Sequence, residues 1–192
     1  MKLTPTIRSA SDLFRKLERE NYRVLHARNA LHRADHFLNF CITAHSMQDH
    51  LLEHLGQVQT GTDKAFRDRW QEEPAILAAA DIANSTKHFV LRNTRTKQPR
   101  SPQTKSVSRG SSEYVDIYED RHGNYHAELV SIPDYYVRLS DGSRHNLHGF
   151  MEAVLVFWRS ELALHGVRVS RQRFENLSGA RNDARSIKHT SA

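Results

Sequence analysis

The chain of 192 residues is 38% hydrophobic and 26% charged, a composition typical of a globular domain that can bury a core. No apolar run approaches the roughly 18 residues of a membrane-spanning helix, and the first residues lack the apolar stretch of a signal peptide. We therefore expect a cytoplasmic protein with no membrane contact. The single cysteine, Cys41, excludes an internal disulfide and a cysteine-based zinc cluster.

The positive charge is concentrated in two segments. Residues 92–110 contain six Lys or Arg and no acid, and residues 168–192 contain six Lys or Arg and two acids. Subtracting these +6 and +4 from the net charge of +6 leaves −4 for the rest. Basic segments of this kind suit contacts with nucleic-acid phosphates, although they can also be solubilising loops. The predicted nucleic-acid contacts are Arg92, Arg95, Lys97, Arg100, Lys105 and Arg109.

The amino-terminal part, residues 9–91, has the apolar periodicity of helices. Ser9 or Ser11 is placed to cap a first helix that runs to residue 31. The second helix is predicted to begin at Asp35 or just before it and to end at Gly56. A short third helix is predicted from residue 64 to 73, followed by a fourth from Pro74 to residue 92.

The carboxy-terminal part changes period from 3.6 to two and back. Residues 93–112 are predicted to be a basic flexible loop. Three strands are predicted within a β insertion at 113–141, with Pro133 separating the second from the third. A core helix is predicted at 146–165 and a basic tail at 168–192. We therefore expect a single domain over 1–192, mainly α within the α+β class: a four-helix-type bundle with an inserted three-stranded antiparallel β-meander.

A polar stripe on the fourth helix is the candidate site. Asp81, Asn84 and His88 share one arc of about 100°. On the second helix, His45 lies inside the apolar arc, with Asp49 one helical turn further on. Groups four residues apart on a helix are neighbours, and a carboxylate beside a His suits general acid–base chemistry.

Two alternatives to a catalytic stripe remain open. One is a polar network that fixes helix register, and the other is that His45 is simply a hydrogen-bonded core residue. No metal is expected, because the Glu-x-x-His repeat of bundle metal sites is absent, and no cofactor is expected.

The strings LNFCITAH at 38–45 and DIANSTKHF at 81–89 resemble small bacterial helical proteins similar to the HEPN superfamily. That resemblance implies a helical bundle and a ribonuclease, an inactive relative, or a toxin–antitoxin component. The superfamily's signature is an Arg and a His separated by four to six residues. The cluster from Asn84 to His88 lacks that Arg, so Lys87 would have to replace it.

The mechanism that we predict for a ribonuclease needs no metal. His88 would exchange a proton with an RNA 2′-hydroxyl or with the leaving oxygen. Asn84 would hold the phosphate and Lys87 would offset its charge. His45, oriented by Asp49, would be the second proton carrier.

A second class of function needs no catalysis. The basic segments could make the chain a nucleic-acid-binding or protein-binding module, either as a homodimer or as a structural subunit of a larger assembly. Tyrosines of the β insertion could stack on bases, although tyrosines in strands also serve ordinary packing. These are Tyr114, Tyr118, Tyr125, Tyr135 and Tyr136.

Overall fold

The computed structural model describes residues 6–57, 63–85 and 102–170. They form five helices and a three-stranded antiparallel sheet in the order β1-β2-β3, which confirms a mixed α+β fold. The elements are α1 (Ala10–His26), α2 (Ala30–His54), α3 (Asp63–Trp70), α4 (Pro74–Ser85), β1 (Thr104–Glu119), β2 (Tyr125–Leu139), β3 (Arg144–Asn146) and α5 (Leu147–Leu164).

The first two helices divide at a different residue from the one predicted. Ser9 caps α1, as expected, by accepting a 3.2 Å hydrogen bond from the backbone of Asp12. The predicted start of the second helix at Asp35 is wrong, because Asn29 already caps α2. Its side-chain oxygen accepts from the backbone N–H groups of Leu31 and His32, at 2.8 and 3.3 Å. This satisfies two of the amide groups that a helix start leaves without a partner.

The core lies among α1, α2, α4 and α5, which pack on one another. Alanines buried along α4 let α2 approach closely. Trp70 at the end of α3 packs edge-on against Trp158 of α5, with ring centroids 5.3 Å apart. The Trp70 indole N–H donates to Glu161 at 2.6 Å. The short helix is therefore fixed to the core by a ring contact and a buried hydrogen bond.

The sheet differs from the three strands that the sequence predicted. β1 and β2 form one long ribbon, paired from Thr104 with Leu139 to Glu119 with Tyr125. Pro133 does not separate two strands, since it lies within β2 opposite Ser111. Its carbonyl accepts from Arg33, away from β1. Because its nitrogen lies on that same edge, the missing N–H removes no bond between the two strands.

The strand boundaries also correct the predicted loop. β1 begins at Thr104, so residues 104–112 belong to the sheet rather than to a loop over 93–112. Residues 93–101 lie outside the described residues, as do 171–192 of the predicted tail. The third strand is the short β3 at 144–146, beside residues 136–138 of β2, immediately before the core helix.

Two buried side chains join the ribbon to the helices. The guanidinium of Arg33 donates to the carbonyls of Ala27 and Pro133 and lies 3.6 Å from the Asp134 carboxylate. Asp134 in turn accepts from the Ser112 hydroxyl and from the backbone of Tyr135.

Within the described ranges, no helix is both long and apolar enough to cross a membrane.

Candidate functional site

The predicted pair on α2 is divided between two environments. His45 is half-buried, whereas Asp49 is exposed. The Asp49 carboxylate lies 3.0 Å from the guanidinium of Arg67, so its recorded partner belongs to α3. This exposed ion pair links α2 to α3 and contributes at most about 1 kcal/mol to stability.

The predicted stripe on α4 is described only as far as Ser85. Asp81 is buried, and its Oδ2 accepts from the backbone N–H groups of Gln103 at 2.5 Å and Thr104 at 3.4 Å. The Thr104 hydroxyl donates to the carbonyl of Ala78 at 3.1 Å. These bonds tie the start of β1 to α4. Sequence reasoning missed this role because the partners are more than twenty residues away in the chain.

Of the other residues predicted for this stripe, the structure describes Asn84. Asn84 is half-buried on α4. This helix packs against α2, which carries His45. Lys87 and His88 lie outside the described residues, so their distances to His45 and Asn84 are not defined.

Two of the six predicted nucleic-acid contacts fall on β1. Lys105 and Arg109 are exposed there, with Lys105 in the register irregularity between Thr104 and Ser106. Arg92, Arg95, Lys97 and Arg100 lie outside the described residues. Alternation along the strand places Arg109 on the same face as its partner Tyr135, and Ser106 and Ser108 on the other.

That other face carries two arginines that the sequence analysis did not select. Arg138 of β2 lies opposite Ser106 on one side and Arg144 of β3 on the other, and both arginines are exposed. Like charges directly opposite in a sheet repel each other. Among the described residues, no carboxylate lies within 4.0 Å of either guanidinium. The sequence signal that could have identified them is the period of two along β2, which places Tyr136 and Arg138 on one face.

Tyr136 forms an aromatic platform on the same face. The guanidinium carbon of Arg144 lies 3.8 Å from the Tyr136 ring centroid, and the Tyr136 hydroxyl donates to the carbonyl of Ser111 at 2.8 Å. A Cβ added at Gly110 would lie 2.7 Å from the ring, so the ring rests on the bare backbone of β1. We call Tyr136, Arg138 and Arg144 the basic sheet face.

A second basic feature lies at the corner between α1 and α2. A cavity of about 380 Å³ is lined mainly by basic and aromatic side chains: Tyr22, Arg23, His26, Arg28, His32 and His36. The rings of Tyr22 and His26 stack at 3.8 Å. Glu20 is buried and forms an ion pair with Arg23 at 2.8 Å, which fixes one guanidinium at the wall of the cavity.

Within residues 6–57, 63–85 and 102–170, no group of three or more His, Cys, Asp or Glu side chains is arranged to bind a metal ion. Cys41 is fully buried, and burial raises the pKa of its thiol well above the ordinary value. A thiolate nucleophile at this position is therefore disfavoured.

The chain matches no protein-family model, and searches of curated proteins and of solved structures found no significant match. Its function has to be argued from its own residues.

Proposed function

We propose that the protein binds single-stranded nucleic acid, and that the basic sheet face is part of the binding surface. The observation that carries this proposal is a pair of opposed arginines, Arg138 and Arg144, of which Arg144 stacks on the Tyr136 ring. Among the described residues, neither arginine has a carboxylate partner. Two like charges held together at a surface lower their repulsion when an anion lies between them.

The geometry suits a nucleotide better than it suits a simple anion. A guanidinium plane that already stacks on a tyrosine ring leaves its other face open to a base, and stacking on such planes accepts any sequence. Arg138 and Lys105 would supply phosphate contacts beside it.

The first experiment measures binding of a fluorescent single-stranded RNA at several salt concentrations. Each lost phosphate contact should flatten the slope of log affinity against log salt by about 0.7. We expect R138Q/R144Q to weaken binding and flatten the slope by up to about 1.4. The matched control is R121Q, which removes an exposed positive charge from the far end of the ribbon. Absence of binding by wild type at low salt would eliminate this function and favour a protein partner.

The HEPN-like ribonuclease remains a further proposal, together with the four-helix-type bundle that it implies. His88 and His45 would be the proton carriers, Asn84 would hold the scissile phosphate, and Lys87 would offset its charge. The packing of α2 beside α4 supports this arrangement. Asp49, the predicted orienter of His45, also lies beside Arg67, and Asp81 also accepts from the start of β1.

The ribonuclease proposal is tested by H88A and H45A, each assayed for RNA cleavage and for thermal melting. Loss of cleavage at an unchanged melting temperature would support catalysis. If wild type does not cleave and the variants melt earlier, the stripe is a structural network.

A further inference from the structure

The cavity at the corner between α1 and α2 has the size and the lining of a small-molecule site. Its volume of about 380 Å³ lies within the range of ligand pockets, about 300–1,000 Å³, and leaves room for more than a bare phosphate. The polar lining comes from both helices and from their connection: Tyr22, Arg23, His26, Arg28, His32 and His36. We call it the corner cavity, and it shares no residue with the basic sheet face.

The corner cavity carries an excess of positive charge. None of the described residues that line it is acidic. The buried Glu20 lies 2.8 Å from Arg23 and 3.5 Å from Lys16, so one carboxylate is shared between two cations. Arg28 is exposed and takes part in no ion pair within the described residues. Three cations against one carboxylate leave two positive charges, before any histidine is protonated.

Two buried polar atoms at this corner have no hydrogen-bond partner among the described residues. They are Oε2 of Glu20 and Nδ1 of His36, which lie 3.7 Å apart. The His36 side chain is 34% exposed although its Nδ1 is buried, so the exposed part of the ring lies away from Glu20. A protonated imidazole has two N–H groups and can donate to Glu20 through Nδ1 and to an anion in the cavity through Nε2.

The stacked rings of Tyr22 and His26 form an aromatic wall. Their planes are 21° from parallel, and the Tyr22 carbonyl accepts from Nδ1 of His26 at 2.7 Å. The stack and this hydrogen bond together hold the His26 ring in place. Because His26 is exposed, the ring face turned away from Tyr22 is open to a ligand. A planar base that stacks on such a ring gains about 1–3 kcal/mol.

From the excess charge, the unpartnered pair and the open ring we infer that the corner cavity binds a nucleoside monophosphate. Arg23, Arg28 and His36 would hold the phosphate, since a guanidinium can donate two parallel hydrogen bonds to it. The base would stack on His26. Because several of the lining side chains are exposed to water, we expect a dissociation constant on the order of 0.1–1 mM. This inference does not depend on binding of single-stranded nucleic acid at the basic sheet face.

The test is isothermal titration calorimetry of the full chain with AMP, inorganic phosphate and adenosine as separate probes. At about pH 7.5 a phosphate monoester, whose second pKa is about 6, is mostly a dianion. We expect AMP to bind most tightly, and inorganic phosphate to bind at least about fivefold more weakly because it cannot stack. Adenosine should bind more weakly than AMP, because it has no charge. Affinities of AMP and phosphate that are equal would overturn the inference.

A matched pair of double variants locates the site. R28Q/H32Q removes two exposed side chains of the corner cavity and should weaken AMP binding about tenfold, the loss of one charge-assisted hydrogen bond. R121Q/H122Q removes the same two residue types from the exposed tip of the ribbon and should bind AMP like wild type. R138Q/R144Q should also keep its AMP affinity, so this result and the RNA result can fail separately. Equal losses in the corner and tip variants, or no saturable binding of AMP by wild type up to about 10 mM, would overturn the inference.

Discussion

Apolar side chains are placed in opposite ways in the helical body, which is α1 to α5, and in the distal ribbon, which is the half of β1 and β2 beyond Gly110 and Asp134. In the body, Phe14, Phe40 and Trp158 are fully buried, whereas in the ribbon Ile117 and Leu129 are about two-thirds exposed. The body is held by burial. The ribbon is held by its hydrogen-bonded register and by the turn at its tip. The difference indicates that the distal ribbon depends far less on buried apolar surface than the body does.

The largest expected effect separates the two regions directly. Phe40 lies in the core with no exposed surface, so F40A should reduce the free energy of unfolding by about 3–5 kcal/mol. I117A in the ribbon should change the monomer's stability by no more than about 0.5 kcal/mol. Urea unfolding of both variants, at a low protein concentration, checks the comparison. Equal losses would mean that the ribbon is covered within one chain.

The same contrast decides what the sequence could predict. The 3.6-residue period of the apolar residues predicted the helices of the body, because those residues face one shared core. It misplaced the start of α2, since the capping Asn29 outweighed the apolar pattern. In the ribbon, the sequence predicts a break at Pro133, and this prediction is wrong because a proline nitrogen on the open edge of a strand disturbs no pairing. The sequence did not predict the first half of β1, because Ser106, Ser108 and Gly110 give only a weak alternation of apolar and polar residues.

The candidate site was predictable to a smaller degree. Helix spacing placed Asp81 and Asn84 on α4 correctly, but no local pattern shows that Asp81 accepts from residues 103 and 104. Arg138 and Arg144 come together only because β3 turns back beside β2, a pairing of three residues. The Asp81 bonds join residues more than twenty positions apart, and a pairing at that distance leaves little trace in a single sequence.

An intermediate effect is expected where the two regions meet. R33M would remove the donor to the carbonyls of Ala27 and Pro133 and leave the buried Asp134 without its nearby cation. We expect a loss of about 1–3 kcal/mol, because buried polar groups would lose their partners. The control is R159M, an exposed arginine paired with Glu18, which should cost at most about 1 kcal/mol. Thermal melting of both variants measures the difference, and equal losses would refute a joint at Arg33.

The smallest effect concerns the turn at the ribbon tip. Asp120 accepts from the ring of His126, from the backbone of His122 and from the backbone and side chain of Asn124. The hydrogen bond from His126, followed by those from Asn124, holds the pKa of Asp120 well below its ordinary value of 3.8. A carboxyl with a lowered folded pKa contributes stability that is present above pH 3.8 and is lost as the pH falls towards the folded pKa.

Amide hydrogen exchange at Asn124 therefore should be slow and insensitive to this group above about pH 5, after correction for the intrinsic rate. Protection should fall once the solution becomes more acidic than pH 3.8. D120N should remove that acid dependence, because the amide keeps an acceptor oxygen but cannot titrate. The control, D141N, lies at the turn between β2 and β3 and should leave Asn124 unchanged. If D120N and wild type lose protection together in acid, the tip is held by another group, and the ribbon opens from its root.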